Sequence, residues 1–227
     1  MGTLSTDDRL LDRDVVYLSL GLREAGKGSS CNKSPPRVLS LVSSLLERLV
    51  QRNEMLLEKN EIKDVITVFH GLRAPPVSIQ QYIERIFKYS CCSPSCFVVA
   101  QIYMDRFVKQ TNVQLTLLNV HRLLITSVML AAKFVDDAFF NNAYYAKVGG
   151  ISTGELNKLE LKFLFSVDFR LQVNTTTFGR YCCNLERVEA TDGLQIERSI
   201  QACRIKETWS NNEDSTTTCA PAIARLR

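Results

Sequence analysis

Two charges stand where apolar packing is expected. Lys133 lies in Ser127-Val-Met-Leu-Ala-Ala-Lys-Phe-Val-Asp-Asp137, and Glu160 sits among Leu156, Leu159, Leu161 and Phe163. An unpaired charge is costly to bury, so each residue must either snorkel to solvent or meet a partner. Catalytic constellations are absent by comparison. Gly149-Gly150-Ile-Ser-Thr-Gly154 superficially resembles a phosphate loop, but Glu155 stands where a phosphate-binding lysine belongs and no parallel strand precedes it. A helix start is the better reading. The two histidines, His70 and His121, have no metalloprotease or hydrolase spacing around them, and kinase signatures are missing. Cys91, Cys92 and Cys96 are neighbours without a second Cys or His pair at zinc-finger spacing, so they read as packed thiols. The expectation is a non-catalytic protein with no cofactor and no metal.

The 227 residues, 45% hydrophobic, can bury one substantial core, which allows one domain plus appendages. The formal charge of +4 comes without a Lys/Arg block or an RNA-type aromatic motif, so nucleic acid is not the expected partner. Leu123 to Ala132, the most apolar run, is about half of a bilayer-spanning helix, and no signal-peptide core precedes it. A soluble intracellular protein of the nucleus or cytoplasm is expected, with no membrane partner and reduced thiols.

The elements that must position Lys133 and Glu160 are helices. Residues 1–34 read as a poorly ordered arm holding at most a transient helix in the apolar run Val15 to Leu22. Val38, Leu41, Val42, Leu45, Leu46, Leu49 and Val50 then recur at helical spacing between Pro36 and Lys59. Ser78 and Gln81 form a capping box before Ile79, Tyr82, Ile83 and Ile86. Ser93 as N-cap with Pro94 opens a helix through about Gln110, and Leu117 to Val135 is apolar on nearly every side, as befits a central helix. An Asn- and aromatic-rich loop leads to a second capping box, Ser152 with Glu155, and a last core helix starts near Thr175. From Val188 the chain is polar, with a short helix expected over Leu194 to Ile205. Strand signals are weak, so the fold class is all-α.

Three segments in order carry a family resemblance: Tyr103-Met-Asp-Arg-Phe107, then Ser127 to Asp137 above, then Leu156-Asn-Lys-Leu-Glu-Leu-Lys-Phe-Leu-Phe-Ser-Val-Asp-Phe-Arg170. Together they resemble the cyclin box, most closely that of the phosphate-signalling-like P/U-type cyclins of plants and fungi. The resemblance covers about 63–184 and implies a five-helix box over 61–184, with an additional N-terminal helix over 35–60 and a polar tail over 185–227. It also implies a regulatory subunit that binds and activates a cyclin-dependent protein kinase by docking on its PSTAIRE-type helix. In that family the lysine and glutamate matching Lys133 and Glu160 grip the kinase helix, the ammonium donating to carbonyls and the carboxylate accepting from amides. A basal-transcription-type helical box and a non-catalytic helical scaffold are the alternatives.

Two departures from the family pattern matter. The substrate-recruiting Met-Arg-Ala-Ile-Leu segment of mitotic cyclins is replaced by Ala74-Pro-Pro-Val-Ser-Ile79, and no second box is expected after Asn184. The same replacement removes the arginine that pairs with the aspartate of the Asp-Arg-Phe segment, so Asp105 is expected to find Arg122 instead, in a buried ion pair between antiparallel helices. Ser34, before Pro35, fits a proline-directed phosphosite, and Gly2 fits a myristoylation pattern weakened by Asp7 and Asp8.

Overall fold

A computed structural model describes residues 14–22 and 35–190, with side chains through Arg187. Ser34, Gly2 and the segment 194–205 lie outside the described residues. The described residues form eight helices: α1 over 14–19, α2 Arg37–Glu58, α3 Ile79–Ser90, α4 Ser95–Thr111, α5 Val120–Val135, α6 Asn142–Gly149, α7 Thr153–Ser166 and α8 Thr175–Ala190. No strand occurs among the described residues.

The apolar sequence of α5 explains its place. Every residue from Leu123 to Ala132 is buried, and α3, α4, α6 and α7 pack around it. On the outer side of α4, α2 packs against α3, α4 and α8 with a face of Val38, Leu41, Val42, Leu45, Leu46 and Val50. An aromatic cluster joins α4, α7 and the segment before α3: Phe107 stacks on Phe163 at 5.1 Å, and Phe69 meets Phe107 edge-on at 4.9 Å.

Local signals set the helix ends. The Ser78 hydroxyl accepts from the Gln81 amide at 3.1 Å while the Gln81 side chain accepts from the Ser78 amide, completing the expected box. Ser78→Ala should therefore lower stability by ~1 kcal/mol, read as a lower melting temperature with unchanged helix content. The Ser152 box is half formed: its hydroxyl caps Glu155, but the Glu155 carboxylate turns away to Arg122. Ser93 departs from the reading further. Its hydroxyl donates to Asp136 rather than capping α4, so the anion at the N-terminus of α4 comes from the end of α5.

Two helices go beyond the reading of the chain. The Asn-rich loop contains α6, started by Asn141, whose side chain accepts from the Tyr144 amide, and closed by Gly150 in the left-handed region. The apolar run in the N-terminal arm is packed rather than transient. Val16 and Leu20, one turn apart, are buried; Tyr17 meets Phe178 of α8 at 5.8 Å, and the Leu20 carbonyl accepts from Val38 of α2 at 3.1 Å. Tertiary burial against α2 and α8 overrides the weak intrinsic tendency of so short a helix.

His121 is a core histidine. Its Nε2 donates to the Val77 carbonyl at 2.9 Å, and burial holds its pKa below 6.5. The unfolded chain then takes up a proton first as pH falls, so this contribution is present above about pH 6.5 and lost below it. Melting curves at about pH 7.5 and about pH 5 should show an acid loss that is smaller in His121→Gln.

Candidate functional site

Lys133 occupies the last turn of α5 and Glu160 the middle of α7, and the packing of these two helices brings their side chains together. Lys133 Nζ donates to Glu160 Oε1 at 2.6 Å, with the two side chains 26% and 16% exposed. Asn142, the first residue of α6, bridges them. Its Oδ1 accepts from Lys133 at 2.6 Å, and its Nδ2 donates to Glu160 Oε2 at 2.6 Å and to Asn157 Oδ1 at 2.7 Å.

The network is paired yet unsaturated. An ammonium has three donors, and two are used; each Glu160 oxygen accepts one bond and has room for another. One edge of the cluster thus stays able to donate to a carbonyl and accept from an amide. Exposed apolar side chains follow the two charges along the chain: Phe134 and Val135 after Lys133, Leu161 and Phe165 after Glu160, and Phe169 in the turn beyond, with Phe165 68% exposed. Phe165 and Phe169 meet edge-on at 5.2 Å, an arrangement fixed by the turn after α7, where Asp168 and Phe169 both hold a positive φ near 55°. Such backbone is costly for residues other than glycine and here aims an aromatic ring at solvent.

Asp136 anchors the end of α5. Its carboxylate accepts from the Ser93 amide at 2.9 Å, the Ser93 hydroxyl at 2.7 Å and the Cys96 thiol at 3.3 Å, tying the α5 terminus to the start of α4. Nothing local in the sequence signals this role, or that of Asn142, since both depend on residues about forty positions and eighteen positions away.

The expected Asp105–Arg122 pair does not form. Arg122 Nε donates to Glu155 Oε1 at 2.7 Å at the start of α7, and Asp105 accepts from the Tyr181 hydroxyl of α8 at 2.8 Å and from Gln101 at 3.3 Å. The two helices are neighbours, but Asp105 faces α8 while Arg122 faces α7. Gly71 makes room for the guanidinium, since a Cβ there would stand 2.4 Å from Arg122 Nη1.

Among the described residues no group of three or more His, Cys, Asp or Glu is arranged to hold a metal ion, and no helix is long and apolar enough to cross a membrane.

Sequence comparison agrees with the helical architecture. The profile of the family described as Cyclin matches residues 36–171, which span α2 to α7. The chain belongs to the cyclin family, within the plant P/U type. It is 57% identical over 202 residues to Cyclin-P3-1 of Oryza sativa subsp. japonica, covering 88% of this chain and 84% of that protein. It is 52% identical over 229 residues to Cyclin-U3-1 of Arabidopsis thaliana, covering 99% and 100%, and 53% identical over 152 residues to Cyclin-U4-1 of the same plant, covering 66% and 75%. Cyclins are regulatory subunits, and a protein kinase is the general partner of the family.

Proposed function

We propose that this cyclin binds a cyclin-dependent protein kinase and activates it, using the Lys133–Asn142–Glu160 cluster to grip the kinase's PSTAIRE-type helix. The observation that carries the proposal is the meeting of an incompletely saturated ammonium and carboxylate on two segments that also expose Phe134, Val135, Leu161, Phe165 and Phe169. The apolar side chains supply the area, and the two charges fix the register of the docked helix by bonding backbone groups at its ends or turns. Pressing that helix inward completes the Lys–Glu ion pair on which phosphoryl transfer depends. The subunit itself contributes no catalytic group, and it acts in nucleus or cytoplasm without nucleic acid.

Purified cyclin-dependent kinases should be assayed for binding and for substrate phosphorylation with and without the chain, alongside a duplex DNA binding control. The expected result is a complex with at least one kinase and a rise in its activity. Absence of a complex with every kinase in the panel, phosphotransfer by the isolated chain, or binding to DNA alone would overturn the proposal.

A further inference from the structure

The seam between α3 and α6 carries a surface that the Lys133–Glu160 cluster does not use. Contacts in reverse order along the two helices set them antiparallel: the Tyr82 hydroxyl donates to the Gly149 carbonyl at 3.0 Å, Arg85 Nη2 to the Lys147 carbonyl at 3.4 Å, and the Tyr144 hydroxyl to the Tyr89 carbonyl at 2.8 Å. Tyr82 is buried, whereas Arg85, Lys88, Tyr89 and Lys147 are exposed. Lys88, one turn beyond Arg85, holds its ammonium over the Tyr89 ring, 5.5 Å from the centroid. Phe140, exposed just before α6, stacks on Tyr144 with centroids 4.1 Å apart and planes 26° apart. Cations and rings are thus interleaved along one seam. Among the described residues none of Arg85, Lys88 and Lys147 is in a salt bridge. Glu84, beside Arg85 in the chain, accepts instead from Gln80 Nε2 at 3.0 Å.

We infer that this seam docks a carboxylate-rich segment of another protein, one that also sets an apolar side chain against the exposed rings. Charge selects the partner: cations without counter-ions in their own chain attract an anionic one, and the rings supply apolar contact that a free ion does not use. The layout suits successive carboxylates better than a single phosphate group. Arg85 is drawn toward Lys147 and Lys88 toward Tyr89, so the cations are strung along the seam rather than converged on one point. The rings disfavour single-stranded nucleic acid. Phe140 and Tyr144 cover one face of each other, and the bond to the Tyr89 carbonyl holds Tyr144 in place, which closes the space between them to a stacking base.

The inference stands apart from the kinase proposal, and the chain alone tests it. The full chain should be titrated into a fluorescein-labelled peptide of Glu and Asp around one Leu, followed by anisotropy. The comparison probes are the same peptide with Gln and Asn for the acids, a neutral peptide bearing one phosphoserine, and oligo(dT). The expected result is binding of the acidic peptide that weakens as NaCl rises from about 50 mM to about 300 mM. Arg85→Glu combined with Lys88→Glu should raise Kd by roughly tenfold or more. Lys147→Ala should weaken binding several-fold, as should Tyr89→Ala, which removes a ring but leaves the carbonyl that Tyr144 binds. Circular dichroism checks that each variant folds, and Arg85→Gln with Lys88→Gln gives the same reading should charge reversal disturb α3. No binding of the acidic peptide, equal binding of its amide counterpart, or tighter binding of the phosphoserine peptide or oligo(dT) would overturn the inference. Wild-type affinity in a folded chain lacking both the Arg85 and Lys88 charges would do so as well.

Discussion

Glu160→Ala is expected to weaken binding to a partner kinase by ~2–5 kcal/mol, or roughly 30-fold to several thousand-fold in Kd, while the fold stays intact. Removing the carboxylate strips Lys133 and Asn142 of a shared acceptor and leaves a half-covered ammonium without its anion. The loss in the complex is larger than in the free chain, because docking excludes the water that would otherwise solvate Lys133. Calorimetric titration against a kinase that binds wild type, with circular dichroism on the variant, reads both quantities. Wild-type affinity would remove Glu160 from the interface, and an unfolded variant would make it a structural residue instead.

Phe163→Ala, three residues further along the same helix, should do the opposite. Phe163 is fully buried between Phe69 and Phe107, so truncation leaves a cavity at the junction of α4, α7 and the segment before α3. The expected cost is ~3–5 kcal/mol, a fall of roughly 10 °C or more in melting temperature. Differential scanning calorimetry checks it. A loss below about 1 kcal/mol would mean that the aromatic cluster collapses to fill the space. Together the two variants separate the outward face of α7 from its inward face.

Most helices were legible because their signals are local. The Ser78 box and the apolar spacing of α2 and α5 lie within a few residues of the structure they dictate. Lys133 and Glu160 each stood out as a charge in an apolar helix and through the family resemblance, but their pairing with each other is visible only in the structure. Asp105 and Arg122 show the limit of such reading. Adjacency of α4 and α5 says nothing about azimuth, and each side chain points to a different third helix. Asn142 and Asp136 fail to stand out for a related reason: an asparagine opening a short helix and an aspartate closing a long one look ordinary until distant partners arrive. Asn141 did carry a usable sign of α6, an asparagine ahead of a short helix-compatible run.

The connection between α7 and α8 has a mechanical consequence. Arg106 donates to the Arg170 carbonyl at 2.6 Å and the Gln172 carbonyl at 3.1 Å, and the buried Tyr103 hydroxyl donates to the Leu171 carbonyl between them at 2.7 Å. Three successive carbonyls are thus fastened to α4 by two of its side chains. A push on the exposed rings of α7 is resisted by these bonds rather than passed along the backbone to α8. Under the proposed function, the face that docks the kinase would then act as a rigid template whose ordering cost is met during folding, leaving the conformational adjustment to the partner.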